Sequence, residues 1–96
     1  MAITHVVRFK GPNDLTLARE AAPLLKKHGA VSVRIGYGFS GAFIGQAIGA
    51  ITFRDWESYG RALQSLTADP DYQRLLAEFG KNFELVDRSI VVGEEL

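Results

Sequence analysis

Residues 31–53 have the sequence VSVRIGYGFSGAFIGQAIGAITF, and this stretch decides which fold the whole chain predicts. Apolar residues stand at the odd positions from Val31 to Phe39, with small or polar residues between them, which is the period-two pattern of a strand with one apolar face. Ser40 and Gly41 supply the chemistry of a turn, and residues 43–53 then form another strand. Two consecutive strands in the middle of the chain favour a hairpin.

On the N-terminal side of this hairpin, the sequence predicts a strand followed by a helix. The strand covers residues 3–10, and its odd positions should lie against the helices. These odd positions are Ile3, His5, Val7 and Phe9. The helix covers residues 15–28, with Asn13 or Asp14 as its N-cap and Gly29 after its end. Because Pro23 cannot donate its backbone hydrogen bond, we expect a kink or a break near residues 19–22.

On the C-terminal side, the sequence predicts a helical region in two pieces and a last strand. Asp55 can cap the first piece, and Asp69 followed by Pro70 repeats the signal of a cap with proline at the first helical position. The second piece covers residues 71–79 and ends at Gly80. Residues 84–92 return as the fourth strand, and residues 93–96 form an acidic tail.

The resulting order, βαββαβ, predicts a single α+β domain over residues 1–96 with a ferredoxin-like fold. Its four-stranded antiparallel sheet has helices on one face only. A substantially apolar uncovered face would be a large exposed patch on a monomer, so we expect a homodimer in which a second sheet covers it. The residues expected there are Thr4, Val6, Arg8, Ile44, Ile48, Val86, Ile90 and Val92, or their opposite-parity neighbours if the register differs.

Composition excludes several classes of partner. Eleven basic and eleven acidic residues cancel, so no net field favours nucleic acid or an anionic membrane. The chain has no cysteine, and its N-terminus lacks an apolar run long enough for a signal peptide or a membrane span. We therefore predict a cytoplasmic location. The motif GYGFSG at residues 36–41 fits GxGxxG, but a strand and not a helix follows it, so it does not predict a dinucleotide site.

The element order and several short stretches resemble the dimeric α/β-barrel superfamily. The resemblance covers nearly all of the chain and rests on the opening MAITHVVRFK (1–10), on ITF (51–53) leading to Asp55, Trp56 and Glu57, and on DPDY (69–72). That superfamily includes cofactor-free monooxygenases of antibiotic biosynthesis, stress-responsive barrel proteins, polyketide-cyclase-like enzymes and members of unknown role. The resemblance therefore implies fold more strongly than activity.

Within the cyclase-like and stress-responsive branch, the resemblance implies a histidine on the first strand that points into a pocket, and His5 stands at that position. The second histidine of the cyclase falls on Asp71 or Tyr72 here, so the cyclase pair of imidazoles is incomplete. His28 lies where a helix ends and is expected to cap it. Two histidines on different elements, with no carboxylate at ligand spacing, predict no metal site, and no cofactor is expected.

The candidate site combines His5 as the proton-transfer residue with Tyr72 as the donor that orients a substrate. The side chains expected to contact a small aromatic or polyketide-like molecule are Val7, Phe9, Phe53, Trp56 and Tyr59. Gly45 and Gly49 either leave room for that ligand or admit close packing. The function predicted is cofactor-free proton transfer, cyclisation or monooxygenation. The alternative is a noncatalytic binding or assembly module in which His5 is a packed, hydrogen-bonded core residue.

Overall fold

The computed structural model describes residues 1–94 and 96, and its elements follow the predicted order. In chain order they are β1 (Ala2–Lys10), α1 (Thr16–Lys27), β2 (Ser32–Tyr37), a short 3-10 helix (Gly41–Phe43), β3 (Gln46–Phe53), α2 (Trp56–Ala68), α3 (Pro70–Asn82) and β4 (Glu84–Gly93). Within this part of the chain, no helix is long and apolar enough to cross a membrane.

The four strands form one antiparallel sheet in the order β2-β3-β1-β4. β1 and β3 are the central strands and β2 and β4 the edges. The register pairs Ile3 with Phe53 and His5 with Ile51, so these four side chains share the face that the helices cover. The predicted orientation of β1 and β3 is therefore confirmed.

The core lies between this sheet face and the helices. It is a cluster of buried residues from α1, α2, β3 and the turn before β2: Leu25, Ala30, Phe53, Ala62 and Leu66. Ile3 beside it is completely buried. Full burial of a side chain of this size stabilises the fold by about 1.5–3 kcal/mol. The Asp55 side chain accepts a hydrogen bond from the Ser58 amide at 2.7 Å, which fixes where α2 begins and presents its apolar stripe to the sheet.

Two helix predictions need correction. α1 is not broken at Pro23, which is exposed and lies inside one continuous helix. α3 does not end at Gly80 but continues to Asn82. The rings of Phe79 and Phe83 stack at 4.3 Å, and Phe79 also packs on Phe9 at 4.5 Å. These contacts hold the last turn of α3 against β1 and offset the low helix propensity of glycine.

The predicted orientation of β4 was also wrong. Its register pairs Ile90 with His5 and Val92 with Ile3, so both residues lie on the helix side of the sheet and not on the uncovered face. The pairing of β1 with β4 has a register shift between Arg8 and Phe9. We call the uncovered side the open face. Its strand residues are Ala2, Thr4, Val6, Arg8, Lys10, Ser32, Arg34, Gly36, Gln46, Ile48, Ala50, Thr52, Glu84, Asp87, Ser89, Val91 and Gly93.

Candidate functional site

His5 lies in the middle of β1 on the helix side of the sheet. The register places Ile51 of β3 on one side of it and Ile90 of β4 on the other. Tyr59 of α2 approaches from above, and the two rings meet edge to face with their centroids 6.3 Å apart. The imidazole is half-buried. His5 is therefore held by three packed neighbours while part of its ring stays accessible.

The electrostatics of His5 favour its neutral form. Burial lowers the pKa of the imidazole below 6.5, and the positive charge of Arg88 lowers it further. Within residues 1–94 and 96, its side chain makes no hydrogen bond to the protein. A neutral, unbonded imidazole near pH 7 can accept a proton, which is the state a general base requires.

Aromatic side chains form one wall beside His5. The Tyr59 ring lies 5.3 Å from the ring of Phe53 and 6.2 Å from that of Trp56, measured between centroids. Trp56 is 58% exposed although it is the largest apolar side chain of the molecule. The exposed indole therefore extends the apolar wall outward from the buried Phe53.

The other side of His5 is open because the helices do not cover β4. Pairing places Arg88 opposite Val7 and Ile90 opposite His5, so both side chains lie on the helix side of this edge strand, and both are exposed. We call the surface that these side chains form with His5, Trp56 and Tyr59 the His5 groove, and define it by His5, Trp56, Tyr59, Arg88 and Ile90. It combines a proton acceptor, an apolar aromatic wall and one permanent positive charge, which together suit a small aromatic molecule with an acidic oxygen or carbon.

Residues 11–93 match the model of a protein family described as a domain of unknown function, DUF6854. The chain belongs to this family. No curated protein matches the sequence. The fold, by contrast, is shared with several solved structures.

Three of these structures illustrate which kinds of protein share the fold. A variant of SnoaB, a cofactor-independent oxygenase from Streptomyces nogalater, is 13% identical with a TM-score of 0.76, over 99% of this chain and 95% of that one. A NIPSNAP domain protein from Burkholderia xenovorans is 14% identical with a TM-score of 0.74, over 98% and 95%. A dimeric ferredoxin-like protein from an uncultured marine organism is 13% identical with a TM-score of 0.67, over 98% of both chains. The predicted ferredoxin-like α+β fold is thus confirmed for this DUF6854 protein.

The structure brings some predicted site residues of the DUF6854 protein together at His5 and places others in its interior. Tyr59 and Trp56 line the His5 groove. Phe53 is 3% exposed and belongs to the core, and the ring of Phe9 packs on Phe79. Tyr72 also packs against the core cluster. Burial raises the pKa of the Tyr72 hydroxyl, which therefore keeps its proton. The role of Tyr72 as an orienting donor stays a prediction.

The two glycines on the predicted pocket side differ. Gly45 lies outside β3 in a turn with φ +80°, a conformation that glycine adopts readily. Gly49 is buried, and a Cβ at its position would lie 3.1 Å from Cγ2 of Val7. The space left by Gly49 is therefore filled by Val7, which supports close packing as the role of this glycine.

Arg88 and Ile90 are the residues of the His5 groove that the sequence did not identify as site residues. In β4 both parities mix apolar and polar residues, because an edge strand without a helix above it is not sorted by burial. The register with β1 places Arg88 beside the groove. An arginine on an exposed strand carries no sequence signal of its own.

Other polar features lie away from His5. The His28 Nε2 and the Asp69 Oδ2 are 2.7 Å apart, which joins the end of α1 to the start of α3. Among the described residues, no group of three or more histidine, cysteine, aspartate or glutamate side chains is placed to hold a metal ion. Two surface clefts of about 290 and 270 Å³ are lined by other residues: Asp14, Thr16 and Glu78 among them in the first, and His28, Arg54 and Arg61 in the second.

Proposed function

We propose that this protein is a homodimeric enzyme that takes a small aromatic or polyketide-like molecule into the His5 groove and removes a proton from it without a bound cofactor. The observation that carries this proposal is the neutral His5 imidazole, which has a lowered pKa and no hydrogen bond to the described part of the chain. A histidine that served only to pack the core would be excluded from solvent with its nitrogens bonded to protein groups, whereas His5 is half-buried and makes no such bond.

The chemistry of the groove supports an acidic aromatic substrate. Trp56 and Tyr59 offer ring faces and edges to a planar molecule. When a His5 nitrogen takes the proton from a phenolic oxygen or an activated carbon, the electron pair of the broken bond stays on the substrate. The guanidinium of Arg88 lies on the same side of the sheet and stabilises the resulting anion.

Oxygenation can follow proton removal without further help from the chain. If the anion arises from an activated CH₂ group, molecular oxygen oxidises that carbon to a ketone. One oxygen atom enters the product and the other leaves as water, so the substrate supplies all the electrons. The similarity in fold to SnoaB, a cofactor-independent oxygenase, supports this class of reaction.

Assembly and location complete the proposal. A homodimer would cover the open face, and a solved protein of this fold from an uncultured marine organism is described as dimeric. The cytoplasm is the location that the sequence predicts.

The test uses 1,8-dihydroxyanthrone, an aromatic molecule with an acidic CH₂ group. Trp56 is the only tryptophan of the chain, so its fluorescence reports binding in the groove. We expect saturable quenching together with consumption of one oxygen molecule per molecule of quinone formed. His5→Gln should keep the quenching and slow oxygen consumption about a hundredfold or more, because general-base catalysis contributes on that order. Arg19→Gln, a change on the exposed side of α1, is the matched control and should alter neither.

Each failure of this test has a distinct meaning. Undiminished turnover by His5→Gln would refute His5 as the base. Saturable quenching of the wild-type protein without oxygen consumption would favour the noncatalytic binding module. Absence of quenching would exclude this substrate class from the groove.

A further inference from the structure

A cleft of about 270 Å³ lies between the end of α1 and the start of α2, and the proposed function makes no use of it. Its walls come from these two helices, from the turn before β2 and from the residue that follows β3. The lining residues are His28, Gly29, Val31, Arg54, Ser58 and Arg61. Two of them are arginines and none is acidic, so the cleft favours a negatively charged ligand.

The two arginines of the cleft are weakly held by their own neighbours. The Nε of Arg54 lies 3.6 Å from the Oδ2 of Asp55. The Nη1 of Arg61 also lies 3.6 Å from its partner, the Oε1 of Glu57. Charge-assisted hydrogen bonds measure about 2.7–2.9 Å, so neither guanidinium forms one to these carboxylates. Both arginine side chains are mostly exposed, and their donors are therefore available to a ligand.

Helix α2 brings a buried hydroxyl next to one of these arginines. Ser58 and Arg61 are three residues apart, so their side chains lie on the same side of the helix. Ser58 is only 9% exposed, which places its hydroxyl at the buried end of the cleft. This hydroxyl contacts Asp55, and it can turn to donate to a bound oxygen atom instead. The cleft thus combines a buried donor with exposed guanidinium groups.

His28 adds a donor on the α1 side of the cleft. Its Nε2 lies 2.7 Å from the Oδ2 of Asp69, which fixes the ring at the end of the helix. In the described part of the chain, this is the only side-chain hydrogen bond that His28 makes. The second ring nitrogen, Nδ1, is a donor whenever the ring is protonated. The imidazole is therefore held in place by one nitrogen and can bind a ligand through the other.

We propose that this cleft binds the phosphate group of a small phosphate monoester. The guanidinium groups of Arg54 and Arg61 match phosphate oxygens in geometry and charge. The Ser58 hydroxyl donates from the buried end, and His28 donates from the α1 side. Donors from several directions suit a tetrahedral group with three terminal oxygens better than a planar carboxylate.

The size of the cleft limits how much of the ligand it can enclose. Its volume is below the roughly 300–1,000 Å³ of pockets that enclose drug-sized molecules. The phosphate group therefore fills the cleft, and the organic part of the ester extends outward. Val31 lines the cleft and is 62% exposed, so it offers an apolar contact to that organic part.

This phosphate site is separate from the His5 groove and from the open face. Tyr59, which lines the groove, follows Ser58 directly, so the two side chains leave α2 about 100° apart. None of the lining residues of the cleft belongs to the open face. A homodimer that covers the open face therefore leaves the cleft accessible.

Proton NMR of the full-length protein with glycerol 3-phosphate tests the site. The chain has only two histidines, so the ring signals of each can be followed separately. At constant pH and ionic strength, we expect the His28 signals to shift saturably and the His5 signals to stay in place. Glycerol, which lacks the phosphate group, should cause no shift. Inorganic phosphate should compete with the ester.

Substitution of Arg61 tests whether its guanidinium holds the phosphate. Arg61→Gln should raise the dissociation constant about tenfold or more, because hydrogen bonds to charged groups contribute on that order. Arg61→Lys should recover only part of the affinity, since lysine cannot bind two oxygens in parallel. Arg74→Gln on α3 removes the same charge outside the cleft and should leave the constant unchanged. Equal effects of Arg61→Gln and Arg74→Gln would overturn the site in favour of unspecific charge attraction.

The remaining outcomes also decide the proposal. Absence of a His28 shift would exclude a phosphate monoester from the cleft. A shift of the His5 signals alone would place the anion near Arg88 and overturn the assignment. Binding to vesicles that contain phosphatidic acid, without binding of glycerol 3-phosphate, would make a lipid head group the ligand instead of a free ester. None of these results changes the outcome of the substrate test on His5.

Discussion

At the scale of single residues, His5 differs from a structural histidine in what surrounds it. Its neighbours are the Tyr59 ring, two isoleucines of the adjacent strands and Arg88. Burial and the charge of Arg88 disfavour a proton on the imidazole, and none of these neighbours bonds its nitrogens. The position therefore selects for neutral imidazole, and the sequence already indicated it by placing a histidine among apolar residues of one strand face.

The lowered pKa of His5 has a measurable origin. Arg88→Gln removes the nearby positive charge, so the pKa of His5 should rise toward 6.5 while the contribution of burial remains. Proton NMR titration checks this result, since the chain has only two histidines and His28→Gln assigns them. Arg74→Gln, which removes the exposed partner of Glu78 on α3, should leave the pKa unchanged.

The His5 imidazole also makes the free energy of unfolding depend on pH. Because the folded pKa lies below the unfolded value of 6.5, the unfolded chain binds more protons between these two values. The free energy of unfolding should therefore fall as the pH drops from 6.5 through the folded pKa, and Arg88→Gln should lessen this fall. An unchanged His5 pKa in Arg88→Gln would remove Arg88 from the site.

At the scale of elements, Asp69 joins two helices, α1 and α3, through one carboxylate. Its Oδ1 accepts hydrogen bonds from the Asp71 and Tyr72 amides at the start of α3, and its Oδ2 lies 2.7 Å from His28 at the end of α1. Asp55 caps α2 in the same way but has no histidine partner. A comparison of the two caps therefore separates the stability that comes from capping from the stability that comes from the contact with His28.

Replacing each cap by alanine should reveal the difference. Asp69→Ala should lower the Tm by more than Asp55→Ala, because it loses the His28 contact together with the cap. Hydrogen bonding from His28 holds the pKa of Asp69 below its usual value of 3.8, so its contribution is present above that value and is lost as the pH falls through the folded pKa. Thermal melts of both variants across the acid range check this prediction. Equal losses of Tm at neutral pH would mean that the His28 contact adds no stability.

The elements also show how far the sequence determines this fold. Period-two patterns correctly oriented β1 and β3, and aspartates at the helix starts located α2 and α3, because those signals act over a few residues. β4 was misoriented because neither of its faces is buried by a helix. The candidate site shows the same difference between local signals and strand register. Trp56 and Tyr59 were predicted from the local pattern of α2, whereas the position of Arg88 beside His5 depends on how β4 pairs with β1.

At the scale of the whole molecule, the sheet separates two surfaces. The His5 groove lies on the helix side, and the open face lies on the other, so a change on one face need not disturb the other. The open face is less apolar than the sequence predicted, since Ile90 and Val92 lie on the helix side.

Val6 tests whether the open face is covered in solution. Val6 lies on central strand β1 and is paired with Ala50 and Ser89. A glutamate at this position would contact solvent in a monomer but would be buried against the second sheet in a dimer. If a second copy covers it, the Tm of the wild-type protein should rise with protein concentration, since assembly stabilises the folded state by mass action. Val6→Glu should abolish that dependence while circular dichroism still shows the native fold. Val31→Glu is the control, because Val31 lies before β2 and is 62% exposed; its Tm should still rise with protein concentration. If the Tm of Val6→Glu also rises with protein concentration, the interface lies elsewhere.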